Sequence, residues 1–319
     1  MTRIVSTDTI LQSGMDIFEG TGWQVEVLDP DSGREHVLAA IPGASGVLTT
    51  LDDQVDDEFL DAAGPELKIV ANVAVGFNNI DLDACAARGV VVTNTPGVLT
   101  DATADLAFAL LLAVTRRLGE GEELVRSGRP WKWAMTLLLG SSLQDKTLGI
   151  IGAGAIGQAF AKRARAFGMN IIYQQRSAVA PEVAEELGLT RVTFDQLITQ
   201  SDVISLHCPY TPQTHHLLDD AAFAKMKQGT YLINTARGAV VDEAAMISAL
   251  ESGRLAGAGL DVYEFEPQVP QALRRRTDVV LLPHLGSATV ETRSTMSRLA
   301  CTNVLNVING DEPLTPVGQ

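Results

Sequence analysis

Leu148-Gly149-Ile150-Ile151-Gly152-Ala153-Gly154-Ala155-Ile156-Gly157 is the stretch that decides how this chain folds. Residues 147–151 read as a buried strand, and residues 158–167 as a helix stopped by Gly168. Gly152, Gly154 and Gly157 between them have the spacing G-x-G-x-x-G. Three glycines arise easily by chance, but here they follow an apolar strand and open a helix, which makes the signal specific. Gly152 permits a tight turn, Gly154 lets the backbone approach a pyrophosphate, and Gly157 lets the helix pack on the strand. The free N–H groups at the start of that helix, at Ala155 and Ile156, would face the anion. The stretch therefore reads as the first turn of a dinucleotide-binding βαβ unit.

The next strand, residues 170–173, runs into Gln174-Gln175-Arg176-Ser177. An acidic residue at that strand's end would bond a ribose 2′-hydroxyl and repel a 2′-phosphate. This chain has none there. Gln175, Arg176 and Ser177 instead offer a bidentate fork and a hydroxyl, which favours NADP(H) over NAD(H) without excluding the latter.

Strand-like runs continue at residues 203–206, 230–234, 257–260 and 279–282, separated by helical patterns such as residues 243–252. An earlier series lies at residues 3–6, 23–28, 46–50, 69–74 and 90–93, with helical patterns at 56–63 and 82–88. Two βαβ series predict two α/β domains with parallel sheets. Between them, residues 100–118 read as one long helix with an almost wholly apolar middle, to be buried between domains or subunits. A loop rich in breakers and aromatics, Ser127-Gly128-Arg129-Pro130-Trp131-Lys132-Trp133, follows it. A last helix, residues 291–308, could return to the first domain.

The bulk numbers agree with this plan. A chain of 319 residues is long for one core, and 46% hydrophobic with 20% charged residues is a globular composition. The net charge of −15 disfavours general binding to nucleic acid or anionic membranes. Three scattered cysteines, with no metal-type spacing, fit a reducing compartment. Residues 1–14 lack a signal-peptide pattern, so the expectation is cytoplasmic. No metal site is expected.

The candidate chemistry sits after consecutive strands of the second series, where open α/β sheets place ligands. Asn234-Thr235-Ala236-Arg237-Gly238 follows one strand, Leu260-Asp261-Val262-Tyr263-Glu264-Phe265-Glu266-Pro267 the next, and Leu282-Pro283-His284-Leu285-Gly286-Ser287-Ala288 the last. Each delivers one polar group: Arg237, Glu266 and His284. Together they supply what hydride transfer to a ketone needs. These are a cation for a carboxylate, a proton donor for the nascent alkoxide, and a group that tunes the donor. Taken singly each has a structural explanation; three on successive strand ends point to a site. The histidines at 36, 207, 215 and 216 show no comparable pattern.

With these motifs, and with Val75-Gly76-Phe77-Asn78-Asn79-Ile80-Asp81 and the run of residues 93–105, the chain resembles the D-isomer-specific 2-hydroxyacid dehydrogenases. Within that family it is similar to the glyoxylate/hydroxypyruvate reductases. The resemblance implies two Rossmann-like domains with the active site in the cleft between them. Residues 1–99 plus 287–319 would form a flavodoxin-like substrate domain, and residues 100–286 the dinucleotide domain. It implies that Arg237 holds the substrate carboxylate, that His284 is the general acid of reduction, and that Glu266 keeps His284 protonated. Val75, Gly76, Leu51 and Ser287 would contact substrate. Asp261 would bond the nicotinamide carboxamide, with Thr103, Thr235 and Ala236 lining the ring. Cys208 and Pro209 would flank the adenine, and Thr214 and Ala288 would complete the cofactor contacts. A homodimer through the 100–140 region is implied as well.

This chain departs from the family in places. Ala155 replaces a common arginine of the glycine turn, and Leu137 an aromatic residue near the partner's site. Val75 stands where phosphite-oxidising relatives carry lysine, and Glu266 where formate dehydrogenases carry glutamine. No C-terminal regulatory domain is expected. The implied reaction is NADPH-linked reduction of a small 2-keto acid, glyoxylate or hydroxypyruvate, to glycolate or D-glycerate. A bulkier substrate such as 2-ketogluconate, or a non-catalytic dinucleotide sensor, stays open on sequence alone.

Overall fold

A computed structural model describes residues 1–318, the side chain of Ser32 excepted. The chain divides into two compact units, Met1–Leu99 with Ser287–Gln319, and Thr100–Gly286.

The first unit carries β1 (Arg3–Ser6), β2 (Gln24–Val27), β3 (Gly46–Thr49), β4 (Ile69–Asn72) and β5 (Val91–Thr93) in the order β2-β1-β3-β4-β5. Every pairing is parallel. The strands β3 and β4 are buried at every position, as a sheet covered on both faces requires. One face packs around Phe59, Leu60 and Ile80 and the other around Phe18, Cys301 and Val304. The helix Val290–Asn309 belongs to this unit and packs on β3, β4 and the short helix Gln12–Met15. Gly14 allows that approach, because a Cβ there would come within 2.7 Å of the Ser297 Cβ.

The second unit holds β6 (Thr147–Ile151), β7 (Asn170–Gln174), β8 (Leu189–Arg191), β9 (Val203–Leu206), β10 (Thr230–Asn234), β11 (Leu255–Leu260) and β12 (Val279–Leu281). Their order is β12-β11-β10-β9-β6-β7-β8, all parallel. The order reverses between β6 and β9. That switch point is where a doubly wound sheet opens a crevice beyond its strand ends.

The apolar helix spans Thr100–Thr115 rather than residues 100–118. Arg117 adopts φ +54, in the left-handed region, and a second helix, Leu118–Arg126, begins directly after it. A left-handed residue cannot continue a right-handed helix. Within its own unit the helix Thr100–Thr115 packs on β10, β11 and β12 and on the helix Ala155–Ala166. Gly257 and Gly259 of β11 make room for it. A Cβ on Gly259 would lie 2.9 Å from the Leu110 Cβ, and one on Gly257 2.7 Å from Val114. Its apolar run is thus largely accounted for by burial inside one unit. The sequence reading also passes over the helix Gly33–Ala40 and the three-residue strand β8. No helix among the described residues is long and apolar enough to cross a membrane.

Candidate active site

At the switch point the glycine turn has three different steric situations. Gly152 adopts φ +93 and lies against the end of β9, so a Cβ would come within 2.6 Å of the Cys208 backbone nitrogen. A Cβ on Gly157 would collide with the Gly152 carbonyl oxygen. A Cβ on Gly154 would meet nothing within 4 Å. Gly154 thus borders open space, which a side chain would fill, at the start of the helix Ala155–Ala166. That helix has no side-chain cap. The amides of Ala155, Ile156 and Gly157 and the positive end of the helix dipole are left for an anion. Gln158 Nε2 donates to the Ala153 carbonyl (2.8 Å) and fixes the turn.

Beyond β7, Arg176 and Ser177 are exposed and Gln175 is half-buried. A neighbouring arginine that the sequence reading missed joins them. The Arg191 guanidinium, from the end of β8, donates to the carbonyls of Gln175 (3.1 Å) and Arg176 (2.6 Å). The signal would have been the strand β8 itself, which places residue 191 opposite Tyr173.

Across the switch point, Cys208 is partly buried, and burial pushes its thiol up to about 11. His207, which showed no partner pattern in the sequence, places Nε2 2.8 Å from the Ser205 hydroxyl, and burial lowers it to about 3. Thr214 accepts from the Thr211 amide (2.8 Å) and donates to the Pro209 carbonyl (2.8 Å), closing the loop after β9.

The polar candidates emerge from three adjacent strands, β10, β11 and β12. Asn234, buried at the end of β10, shapes the first loop. Its Oδ1 accepts from the Ala236 amide (3.0 Å) and its Nδ2 donates to the Arg237 carbonyl (3.0 Å). A buried amide at a strand end must find partners, and here its partners are the turn that aims Arg237. Arg237 Nη1 donates to the Ala236 carbonyl (2.7 Å). Burial lowers the guanidinium from its ordinary value, while the charge of Glu266 opposes that. The Thr235 hydroxyl is buried with no hydrogen-bond partner among the described residues.

The loop after β11 runs against the loop after β10, where Gly238 lies so close to Tyr263 and Glu264 that a Cβ would overlap their backbone. Tyr263 N–H donates to Glu266 Oε1 (2.8 Å), and Glu264 N–H to Glu243 Oε1 (3.0 Å). Glu266 Oε2 lies 2.8 Å from His284 Nδ1, with side chains 29% and 31% exposed. Burial would raise the Glu266 carboxyl. The His284 hydrogen bond and the Tyr263 amide outweigh it, with the charges of His284 and Arg237, and leave it below the usual carboxylate range.

The third loop hangs on Asp261. His284 N–H donates to the Asp261 carbonyl (2.9 Å), Leu285 N–H to Oδ1 (2.6 Å) and Gly286 N–H to Oδ2 (2.8 Å). This grip holds His284 at φ +54, a conformation L residues rarely adopt. Burial raises the Asp261 carboxyl from its ordinary value, and the Leu285 amide, His284 and the Gly286 amide offset this only in part. Thr103 donates to the Gly286 carbonyl (3.1 Å) from the helix Thr100–Thr115.

The second unit therefore brings together Arg237, Glu266, His284, Asp261, Thr103, Thr235 and Ala236 around the ends of β10 to β12. His216, also without a pattern in the sequence, pairs with Glu264 (2.7 Å). No cluster of metal-type ligands occurs among the described residues. Leu51, Val75, Gly76, Ser287 and Ala288 belong to the first unit.

Residues 108–286 match the family model described as D-isomer specific 2-hydroxyacid dehydrogenase, NAD binding domain. The chain is 47% identical to a glyoxylate reductase of Thermococcus litoralis over 318 residues, 98% of this chain and 95% of that one. It superposes with a TM-score of 0.89 on the crystal structure of a glyoxylate reductase from Paecilomyes thermophila. That match is 35% identical and covers 99% and 98% of the two chains. An NADPH-dependent glyoxylate/hydroxypyruvate reductase from Sinorhizobium meliloti, solved with NADP and malonate, gives a TM-score of 0.86. It is 35% identical and covers 99% and 97% of the chains.

Proposed function

Because this chain belongs to the D-isomer specific 2-hydroxyacid dehydrogenase family, we propose that it reduces a small 2-keto acid with NADPH. The substrate we assign is glyoxylate or hydroxypyruvate, and the product glycolate or D-glycerate. The observation that carries the proposal is the Glu266 carboxylate, hydrogen-bonded to His284 and within electrostatic reach of Arg237.

A bound reduced nicotinamide supplies a hydride to the keto carbon. The residues fit such a cofactor: Gly154 borders open space at an uncapped helix start, and the Thr235 hydroxyl is buried with no hydrogen-bond partner among the described residues. The turn at Gly152, Gly154, Ala155, Ile156 and Gly157 would hold the pyrophosphate. Cys208, Pro209 and Thr214 would flank the adenine end, and Thr103, Thr235, Ala236, Asp261 and Ala288 the nicotinamide end. Arg237 would hold the substrate carboxylate through its planar fork and draw electron density toward the keto oxygen. His284 engages Glu266 through Nδ1, which leaves Nε2 to donate the proton to the forming alkoxide. Glu266 balances the charge of the imidazolium and fixes the ring. Asp261 sets the backbone that presents it.

In the first unit we assign substrate-carboxylate binding to the Val75 and Gly76 amides, with Leu51 and Ser287 as further substrate contacts. NADPH is the favoured reductant, with NADH able to substitute. The support is the acid-free end of β7, where Arg176 and Ser177 are exposed beside Arg191. We further propose a cytoplasmic homodimer paired through the 100–140 region. Its support is the run of exposed apolar side chains Leu118, Val125, Trp131, Trp133, Met135 and Leu139.

Steady-state rates with glyoxylate, hydroxypyruvate, phenylpyruvate and 2-ketogluconate, each against NADPH and NADH, test the proposal. Higher kcat/KM for the two small acids with NADPH is expected. A preference for 2-ketogluconate or phenylpyruvate would overturn the substrate, and a preference for NADH throughout would overturn the cofactor.

A further inference from the structure

Three successive carbonyls of the loop after β4 are tied down from within the first unit. The Ala74 carbonyl accepts from Thr95 N–H (2.9 Å), the Val75 carbonyl from Asn94 Nδ2 (2.8 Å) and the Gly76 carbonyl from Asn72 Nδ2 (2.8 Å). Fixing three carbonyls fixes the peptide planes, and with them the directions of the Val75 and Gly76 N–H groups.

The middle tether is itself held by a distant part of the chain. Asn94 N–H donates to the Thr315 carbonyl (3.3 Å), and the Thr315 hydroxyl donates back to the Asn94 carbonyl (2.6 Å). Thr315 is gripped in turn by Asn303, a fully buried residue of the helix Val290–Asn309. Asn303 Nδ2 donates to the Thr315 hydroxyl (2.8 Å), while its Oδ1 accepts from the Leu314 (2.7 Å) and Thr315 (3.3 Å) amides. A further bond, from Val317 N–H to the Val92 carbonyl (2.8 Å), lays the segment along β5. Apolar burial explains only the end of this seating: Val317 packs on the core around Phe59 and Ile80, whereas Leu314 is 57% exposed and Pro316 is exposed. At Thr315 it is the polar chain Asn303–Thr315–Asn94–Val75 that locates it.

We infer that residues 314–317 form a strap that positions the substrate loop, with Thr315 and Asn303 as positioning residues for keto-acid binding. The inference rests on the reading that the Val75 and Gly76 amides bind the substrate carboxylate. Loosening the strap would let Asn94 and the Val75 peptide shift. Substrate affinity would suffer, while the reacting groups of the second unit would not.

The test is steady-state keto-acid reduction at saturating NADPH by the full chain, comparing Thr315→Val, Thr315→Ser and Asn94→Ala. Thr315→Val is expected to raise the KM for glyoxylate about 3- to 10-fold, the effect of losing a hydrogen bond. Its kcat and NADPH affinity should stay within about twofold of the parent on the same reasoning. Thr315→Ser, which keeps the hydroxyl, should restore KM, and Asn94→Ala should raise it. If Asn94→Ala raises KM and Thr315→Val only lowers the thermal midpoint, the strap is wrong and the loop reading stands. If neither raises KM, the loop reading fails and takes the strap with it.

Discussion

Glu266 Oε2 and His284 Nδ1 lie 2.8 Å apart, joining the ends of two neighbouring strands through one carboxylate–imidazole contact. The same carboxylate accepts the Tyr263 amide through its other oxygen, so both of its oxygens are held. The contact holds the imidazole ring in one orientation and sets a negative charge beside it. Glu266→Gln removes the charge and keeps the shape. Its kcat for keto-acid reduction should therefore fall about 10- to 10²-fold while NADPH binding is preserved. Steady-state rates and NADPH titrations of the two proteins check this, and a parental kcat would remove Glu266 from the mechanism.

The Glu266 carboxyl is held below the usual carboxylate range in the fold. Its stabilising contribution is therefore present above the unfolded value and is lost as pH falls through the folded one. Thermal midpoints of parent and Glu266→Gln, followed downward from neutral pH, should converge at the acid end. A gap that persists there would mean the carboxylate's charge is not what stabilises the loop.

Arg237 and its neighbour Gly238 should fail in different ways. Arg237→Lys keeps a charge but loses the planar fork, and kcat/KM for the keto acid should fall about 10²- to 10³-fold with NADPH binding preserved. Gly238→Ala forces a side chain into the Tyr263–Glu264 backbone. That substitution should lower stability by about 1–3 kcal/mol or more as well as activity. Thermal melts and NADPH titrations of both variants separate the two cases. An Arg237→Lys enzyme with parental kcat/KM would contradict the assigned role.

The glycine turn offers a similar contrast. Gly154→Ala points a methyl into open space and should fold normally while binding NADPH more weakly. Gly157→Ala sets a methyl against the Gly152 carbonyl and should destabilise the fold. Fluorescence titration with NADPH beside a thermal melt distinguishes them. Unchanged NADPH affinity in a well-folded Gly154→Ala protein would count against the assigned pyrophosphate site.

Arg176→Ala should raise the KM for NADPH about 10- to 100-fold, the loss of a charge-assisted pair, and leave that for NADH nearly unchanged. Arg191→Ala should act in the same direction by releasing the Gln175 and Arg176 carbonyls. Equal effects on the two reductants would place both arginines away from the 2′-phosphate.

How much of this was legible beforehand follows from how local each requirement is. Gly152, Gly154 and Gly157 could be read because strand, turn and helix are contiguous in sequence. Arg237, Glu266 and His284 stood out because each is a polar group placed just after an apolar strand. Their supports did not. Asn234 acts on the turn that follows it, but only burial at the strand end makes that obligatory. Asp261 grips amides 24 and 25 residues further on. Gly238 meets Tyr263 because β10 and β11 are neighbours in the sheet. Arg191 reaches Arg176 only through β8, a strand too short to show a pattern. The end of the helix at Thr115 carried no glycine or proline to mark it, and the left-handed Arg117 appears only in the structure.

The central claim is that His284 hands a proton to the oxygen of a keto acid held by Arg237. The most direct test is a single-turnover measurement of NADPH oxidation by glyoxylate, with the parent and His284→Gln at matched, saturating NADPH occupancy. The account predicts that the substituted enzyme still binds NADPH but transfers hydride about 10²- to 10⁴-fold more slowly. Hydride transfer at the parental rate without the imidazole would contradict it.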